Sequence, residues 1–158
     1  MVGIGTDLHR LEPLRRLIIG GIVIESEFGC AAHSDGDVLL HALTDALFGA
    51  AGLGDIGEHF PDTAEEFRNA DSRIFVEYAL KLITERNLEI ENVDAVISLQ
   101  KPKLSPFKIQ IRDNIAEILN IQNEQVNIKA KTGEKLGYIG NSLAVEALAV
   151  VSLKEKKH

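Results

Sequence analysis

Hydrophobic and polar positions follow the two-residue period of strands in some segments of the chain and the 3.6-residue period of helices in others. Short apolar runs predict five strands, at Val2–Leu8, Leu17–Ile24, Val93–Leu99, Val126–Ala130 and Ser142–Leu153. The second of these runs is interrupted by Gly20 and Gly21, and the last is rich in Ala and Leu and therefore also suits a helix.

Helical spacing of apolar residues predicts three helices between these strands. The first has Ser34 or Asp35 as its N-cap and runs to about Ala51, where Gly52 or Gly54 ends it. The second is capped by Asp71-Ser72 and runs to Arg86. The third lies at Lys108–Leu119. Strands and helices interleave without the glycine fingerprint of a doubly wound dinucleotide fold. We therefore expect an α+β fold, a two-layer α/β sandwich with a mixed β-sheet.

The composition indicates one folded domain, residues 1–158. Hydrophobic residues make up 45% of the 158 positions, which is enough to build a core. The 17 basic and 24 acidic residues give a net charge of −7 and an isoelectric point of about 5.2. This balance argues against non-specific binding to nucleic acids or anionic membranes, which needs a basic surface. If the protein binds a phosphorylated ligand, something other than surplus Lys and Arg must neutralise it.

The single cysteine, Cys30, excludes an intramolecular disulfide and fits a reducing compartment. In its Gly-Cys-Ala-Ala context, a small buried side chain is a better interpretation than a nucleophile. The first residues lack the basic start and long apolar core of a secretory signal, and no apolar run is long enough to span a bilayer. We expect a cytoplasmic protein with no membrane or nucleic-acid partner.

Asp7, His9 and His41 are the first candidates for a chemical site. Asp7 and His9 lie two positions apart in a predicted strand, so their side chains project to one face. His41 lies in a narrow polar stripe of the first predicted helix, and Asp37 and Asp45, one turn on either side, are candidates to fix its tautomer. Two imidazoles and one carboxylate form a zinc set that leaves a fourth position open. A solvated strand end and helix face are the alternative explanation.

Two loops carry further candidate binding residues. Gly54–Asp62 follows the first predicted helix, and its Asp55 and Asp62 can accept hydrogen bonds from ligand hydroxyls. Lys129–Gly137 follows a predicted strand and offers backbone donors, a hydroxyl, lysines and Glu134, which suit a phosphate and a hard metal ion. This second loop lacks the spacing of a Walker loop. Ordinary turn chemistry is the alternative explanation for both loops.

Along its whole length the chain resembles the 2-C-methyl-D-erythritol 2,4-cyclodiphosphate synthases, zinc enzymes of the non-mevalonate isoprenoid pathway. The resemblance rests on collinear motifs, of which the run His33–Leu47 is the longest and most specific. The other motifs are Asp7–His9, Leu53–Gly57, Phe60–Thr63, Ala70–Ser72, Pro102-Lys103 and Glu134–Gly137.

The resemblance implies a lyase reaction. In this family, the 2-phosphate of 4-diphosphocytidyl-2-C-methyl-D-erythritol 2-phosphate attacks the β-phosphorus of the same molecule. CMP leaves, and 2-C-methyl-D-erythritol 2,4-cyclodiphosphate forms. Asp7, His9 and His41 match the zinc ligands, and Glu134 matches the ligand of a second divalent cation, Mg²⁺ or Mn²⁺.

The remaining residues implied by the resemblance surround these metals. His33 and Ser34 match positions that line the phosphate site, and Asp55 matches the carboxylate that binds the erythritol hydroxyls. The other matches are Ile56, Gly57, Phe60 and Asp62 in the erythritol pocket, Leu99, Pro102, Lys103 and Leu104 in the cytidine loop, and Ala130, Lys131 and Thr132 beside the nucleotide phosphates.

The resemblance also implies a homotrimer whose sheets form a central β-prism, with active sites between neighbouring subunits. The sequence departs from the family in two places. Lys131 and Gly133 replace two threonines, and Asn141-Ser142 follows Gly140 where many members carry Arg in a slightly longer loop. That Arg faces a central cavity that binds isoprenoid diphosphates, so its absence argues against such binding here.

Two other functions use the same candidate residues. One is a zinc-dependent phosphohydrolase, which would place a metal-bound water at the open position. The other is a non-catalytic binding protein that has kept the fold. The presence together of Asp7, His9, His41, Asp55 and Glu134 argues against this last possibility.

Overall fold

The computed structural model describes residues 1–32, 34–61 and 70–157. These ranges contain seven strands: β1 (Val2–Pro13), β2 (Leu17–Ile19), β3 (Ile22–Ile24), β4 (Phe28–Cys30), β5 (Leu88–Ser98), β6 (Val126–Lys131) and β7 (Ala144–Glu155). They also contain five helices: α1 (Val38–Ala51), α2 (Ile56–His59), α3 (Arg73–Glu85), α4 (Lys108–Leu119) and α5 (Gly137–Gly140). None of these helices is long and apolar enough to cross a membrane. Short 3₁₀ turns lie at Ser105–Phe107 and Asn123–Gln125.

Five of the strands form one mixed sheet, in the order β4-β1-β7-β5-β6. β5 and β6 are parallel, whereas β1 is antiparallel to both β4 and β7, and β7 is antiparallel to β5. β2 and β3 form a separate two-stranded hairpin. The expected mixed sheet is therefore confirmed. Its central strand is β7, the Ala- and Leu-rich segment whose sequence also suited a helix.

The long helices cover one face of this sheet. α1 packs over β1 and β7, α4 packs over β6, and α3 lies against α1. Every second side chain of β7 is buried beneath them, and the apolar surface removed from water in this way is the main source of stability. The opposite face of the sheet is less covered: Val2, Ile4 and Leu8 of β1 are 70%, 63% and 50% exposed.

The close contact between α1 and β1 depends on Gly3 and Gly5. A Cβ atom at Gly3 would lie 2.1 Å from the carbonyl oxygen of Ala46, and one at Gly5 would lie 2.0 Å from that of Ala42. Both distances are far shorter than a van der Waals contact, so any side chain at these positions would push α1 away from β1. The next residues on this face of β1 therefore lie beside the first turns of α1.

Asp37 joins the start of α1 to the β2–β3 hairpin. Its buried carboxylate accepts hydrogen bonds from the backbone N–H groups of Leu40 (3.0 Å), Gly20 (2.9 Å) and Gly21 (2.6 Å). Burial raises the pKa of Asp37 to about 6, although these three hydrogen bonds oppose the shift; the nearby charge of Asp35 adds to it. Asp37 is thus the N-cap of α1 and the anchor of the hairpin at once.

The elements depart from the predicted ones for local reasons. α1 begins at Val38, later than a cap at Ser34 or Asp35 would place it, because its capping carboxylate is that of Asp37. The run predicted as one interrupted strand is the β2–β3 hairpin, because Gly20 and Gly21 both have positive φ angles, 60° and 76°. β4, α2 and α5 were not predicted, since segments of three or four residues are too short to display a period.

We expect Asp37→Ala to lower the free energy of unfolding by about 2 to 4 kcal/mol, because it removes a helix cap and leaves buried N–H groups without an acceptor. Urea denaturation of the metal-free protein measures this loss. The loss should be larger at pH 5 than at pH 7. The folded-state pKa lies above the ordinary 3.8, so the contribution of this carboxyl to stability declines as the pH rises through about 6.

Asp113→Ala is the matched control, because this aspartate is partly exposed on α4 and pairs only with the neighbouring Arg112 at the surface. Its effect should stay below about 0.5 kcal/mol. An equally small effect of Asp37→Ala would contradict the anchoring role.

Candidate active site

The structure brings Asp7, His9 and His41 together. Asp7 and His9 reach the cluster from the face of β1 that carries α1, and His41 reaches it from α1 itself. Asp7 Oδ2 lies 2.9 Å from His9 Nε2 and 3.0 Å from His41 Nδ1, and the two nitrogen atoms are 3.2 Å apart. The three side chains are 25%, 16% and 14% exposed, so the cluster is half-buried and accessible. We call these three residues the metal cluster.

The donor atoms of the metal cluster match the requirements of a tetrahedral ion. Ligand atoms about 2.0 Å from a zinc ion lie about 3.3 Å apart in a tetrahedron. The three edges here measure 2.9, 3.0 and 3.2 Å. Two imidazole nitrogens and one carboxylate oxygen also leave the fourth position open. Within residues 1–32, 34–61 and 70–157, no other group of three His, Cys, Asp or Glu residues brings its donor atoms so close together.

The electrostatics of the metal cluster favour an ionised Asp7. Burial alone raises the pKa of this carboxyl, but hydrogen bonds from His41 and His9 and attraction to both rings outweigh it, so the pKa of Asp7 lies far below its ordinary value. Burial lowers the pKa of His41, but the hydrogen bond to Asp7 and the surrounding carboxylates bring it above the ordinary value. A divalent cation would stabilise a carboxylate held between two imidazoles in this way.

The second ring nitrogen of His41 faces hydroxyl groups. Its Nε2 atom lies 2.8 Å from Ser72 Oγ and 3.2 Å from Ser34 Oγ. The carboxylates of Asp37 and Asp45 instead accept hydrogen bonds from backbone N–H groups. The prediction that these two aspartates fix the His41 tautomer was therefore wrong. Helical spacing identified the stripe that they share with His41, but not the backbone groups that approach it.

Asp45 holds the loop after α1 in place. Its Oδ1 atom accepts a hydrogen bond of 2.7 Å from the backbone N–H of Ile56. That residue opens α2, whose N-cap is Asp55, and the Asp55 side chain accepts from the backbone N–H of Glu58 at 3.0 Å. Asp55, Ile56 and Gly57 are predicted site residues, so the predicted substrate loop is fixed directly to the helix that carries His41.

A row of aromatic rings connects this loop to the metal cluster. The ring of Phe60, which follows α2, lies 4.6 Å from the ring of Phe75 between centroids. Phe75 in turn lies 5.8 Å from the ring of His41. The predicted site residue Phe60 is therefore within two ring contacts of the metal cluster. Phe75 lies in the second predicted helix, and its sequence position carries no sign of a site.

The second group of predicted site residues lies where β5 and β6 end. These parallel strands end side by side, with Ser98 paired to Lys131, and the backbone N–H of Leu99 donates to the carbonyl oxygen of Lys131 at 2.9 Å. We call segments 99–104 and 130–134 the strand-end loops, although the second segment includes the last two residues of β6. They carry the predicted site residues Leu99, Pro102, Lys103, Leu104, Ala130, Lys131, Thr132 and Glu134.

Within the strand-end loops, Thr132 Oγ1 donates a hydrogen bond of 2.8 Å to Glu134 Oε1. Gln100 Oε1 accepts from the backbone N–H of Gly133 at 3.2 Å and so ties one loop to the other. Sequence reasoning missed Gln100, whose only signal is its place in the first loop. A Cβ atom at Gly133 would lie 2.3 Å from the backbone nitrogen of Gly140, so the family's threonine does not fit here without backbone movement.

The metal cluster and the strand-end loops are far apart within one chain. Asp7 pairs with Ala147, Ala147 pairs with Ile97, and Ile97 pairs with Ala130, so three strand spacings separate Asp7 from Ala130. At about 4.8 Å for each spacing, the separation is about 14 Å. Two metal ions that act on one phosphoryl group lie about 4 Å apart. One copy of the chain therefore does not bring the two groups to that spacing.

Three other sequence-based expectations concern single residues. His33 and Asp62 lie outside the described residues. Cys30 is buried, and this burial, together with the charges of nearby aspartates, raises the pKa of its thiol to about 12. The thiol is therefore protonated at neutral pH, in agreement with the interpretation of Cys30 as a small buried side chain.

Comparisons with known proteins show the family of this chain. The model of the YgbB family matches residues 1–154. The chain belongs to the YgbB family. A relative from Paraburkholderia phymatum, named 2-C-methyl-D-erythritol 2,4-cyclodiphosphate synthase, is 53% identical over 96% of this chain and 96% of its own length. One from Fusobacterium nucleatum, with the same name, is 49% identical over 99% of this chain and 98% of its own length.

Solved structures also match this YgbB-family chain. The CDP-bound form of a 2C-methyl-D-erythritol-2,4-cyclodiphosphate synthase superposes with a TM-score of 0.90 and 39% sequence identity. The match covers 98% of this chain and 100% of that one. The resemblance inferred from the motifs is therefore confirmed over nearly the full length of the chain.

We expect His41→Ala to abolish binding of Zn²⁺ at the metal cluster while the protein stays folded, because α1 is held by buried apolar residues on its other faces. Isothermal titration of the metal-free protein with Zn²⁺ measures this loss, and circular dichroism checks the fold. His59→Gln is the matched control, because the Nε2 atom of His59 hydrogen-bonds the Leu53 carbonyl oxygen and takes no part in the cluster. If His41→Ala bound Zn²⁺ as tightly as the control, the metal assignment would be wrong.

Proposed function

We propose that this protein is a 2-C-methyl-D-erythritol 2,4-cyclodiphosphate synthase that acts in the non-mevalonate isoprenoid pathway. The observation that carries the proposal is the metal cluster of Asp7, His9 and His41, whose donor atoms fit a tetrahedral ion with one open position. Membership of the YgbB family and the names of relatives about half identical in sequence support it.

The reaction is an intramolecular displacement at phosphorus. An oxygen of the 2-phosphate forms a bond to the β-phosphorus, and the bond from that phosphorus to the oxygen bridging the α-phosphate breaks. CMP leaves with the bridging oxygen. The attacking phosphate oxygen is already ionised at neutral pH, so the reaction needs neither a protein nucleophile nor a strong general base. The inert, buried thiol of Cys30 agrees with such a mechanism.

Asp7, His9 and His41 would hold Zn²⁺, which supplies Lewis-acid polarisation of a phosphoryl oxygen when bound. Ser34, beside His41 Nε2, and His33 would orient the reacting phosphate. Asp55 is exposed, and its carboxylate is available to accept hydrogen bonds from the erythritol hydroxyls. Ile56, Gly57, Phe60 and Asp62 would complete that pocket.

The strand-end loops would bind the nucleotide part of the substrate. Glu134 would hold Mg²⁺ or Mn²⁺, with its carboxylate oriented by the Thr132 hydroxyl. Lys131 adds an exposed cation beside the diphosphate. The first strand-end loop, with Leu99, Pro102, Lys103 and Leu104, would surround the cytidine, and Ala130 would lie beside the nucleotide phosphates.

The separation of about 14 Å between the two groups supports an assembly in which one copy supplies the metal cluster and a neighbour supplies the strand-end loops. The less covered face of the sheet offers an apolar surface for such contacts, with Val2, Ile4 and Leu8 of β1 all at least half exposed. We therefore propose a homotrimer in which these faces form a central β-prism. We also propose a cytoplasmic location, in keeping with the reduced Cys30.

The direct test is release of CMP from the proposed substrate, with Zn²⁺ and Mg²⁺ each omitted in turn. We expect turnover only when both are present, and we expect Glu134→Gln to reduce it at least about a hundredfold through loss of the second cation. Glu124→Gln, an exposed glutamate in the 3₁₀ turn before β6, is the control and should be fully active.

Phosphorus NMR of the product separates the proposal from its two alternatives. A cyclic diphosphate supports the synthase. Linear phosphates would identify a zinc-dependent phosphohydrolase instead, and substrate binding without any product would identify a binding protein.

A further inference from the structure

We propose that Ser72 and Asp35 form a hydrogen-bond relay that positions His41 for metal binding. The relay runs from the Asp35 carboxylate through the Ser72 hydroxyl to the ring of His41. It rests on the proposed function of the metal cluster and assigns a role to two residues that the proposed chemistry leaves unused. They come from two of the family motifs, His33–Leu47 and Ala70–Ser72, which lie far apart in the sequence.

The contacts of Ser72 are those of a positioning group. Its Oγ atom lies 2.8 Å from His41 Nε2 and donates a short hydrogen bond to Asp35 Oδ1. Asp35 Oδ2 accepts a second hydrogen bond from the backbone N–H of Ser72 at 3.0 Å. The backbone N–H of Asp35 donates to the Ala70 carbonyl oxygen at 3.1 Å, which fixes the segment before α1 to the start of α3.

The direction of the relay follows from the chemistry of its ends. An ionised carboxylate only accepts hydrogen bonds, so the proton of the Ser72 hydroxyl points to Asp35. The oxygen of that hydroxyl is then free to accept, and the group that it faces is His41 Nε2. His41 Nε2 therefore donates its N–H to Ser72, and without a metal ion Nδ1 donates a hydrogen bond of 3.0 Å to Asp7 Oδ2. A metal ion at the cluster would take the place of the proton on Nδ1. The one N–H of the neutral imidazole would then be the Nε2 N–H held by Ser72, and the lone pair of Nδ1 would face the metal position.

The burial of Ser72 supports this role. Three polar or charged residues are buried among those the structure describes: Asp37, Thr44 and Ser72. Asp37 caps α1 and anchors the hairpin, and the Thr44 hydroxyl donates to the Leu40 carbonyl oxygen within α1. Ser72 also occupies the N-cap position of α3, but its side chain makes no capping hydrogen bond there. Its hydroxyl is used entirely in the relay.

Competition with a chromophoric chelator measures the Zn²⁺ affinity of the metal-free protein. We expect Ser72→Ala to weaken binding about 10- to 100-fold, the usual effect of removing the hydrogen-bond partner of a metal-bound histidine. The visible absorption bands of the Co²⁺-substituted protein should also shift, because an unrestrained ring changes the ligand geometry. Asp35→Asn, which keeps the serine but removes the charge at the end of the relay, should weaken binding about 3- to 10-fold.

Thr84→Ala is the matched control, because it removes a hydroxyl that donates to the Leu80 carbonyl oxygen elsewhere on α3. It should leave both the affinity and the Co²⁺ spectrum unchanged. Thermal unfolding of each metal-free variant separates loss of the fold from loss of positioning.

The relay would be overturned if both relay variants bound Zn²⁺ with an affinity within about twofold of the unmodified protein and their Co²⁺ bands were unchanged. Failure of the unmodified protein itself to bind Zn²⁺ would instead overturn the proposed function, and the relay with it.

Discussion

The structure depends on the direct contact between α1 and β1. Gly3 and Gly5 let the helix backbone lie against the strand, because a Cβ atom at either position would come within 2.1 Å of a helix carbonyl oxygen. The same face of β1 continues with Asp7 and His9, which therefore meet His41 on α1. Since both elements are part of the buried core, the donor atoms are held by rigid backbone rather than by a loop. The close grouping of the three donor atoms is thus a consequence of how closely one helix packs on one strand.

The rest of the proposed site is arranged around this cluster in two parts. Asp45 and a row of aromatic rings fix the loop at Asp55 beside it, whereas Glu134 and the other residues of the strand-end loops lie three strands away. In the proposed function, two divalent cations resolve the conflict between a net charge of −7 and a highly anionic substrate. Some of the acidic residues that give this net charge are then the metal ligands themselves.

The sequence predicted the parts of this arrangement that follow a period or a family motif. The mixed sheet, the three long helices and the meeting of Asp7 and His9 with His41 all agree with the structure. Contacts that depend on distant backbone groups were not predictable. Asp37 was predicted to fix the tautomer of His41, but it caps a helix and anchors a hairpin. Ser72 was assigned only a capping role, because sequence spacing does not reveal that α3 begins against the His41 ring.

Subunit complementation tests whether one chain supplies the metal cluster and a neighbour supplies the strand-end loops. His41→Ala and Glu134→Gln, each inactive alone, would be unfolded, mixed in equal amounts and refolded together. If sites form between copies in a head-to-tail arrangement, random pairing leaves about one quarter of them intact, and CMP release returns to about a quarter of the unmodified rate. If each site were built within one chain, every site in the mixture would carry a defect. A mixture as inactive as its components would therefore rule out sites shared between copies.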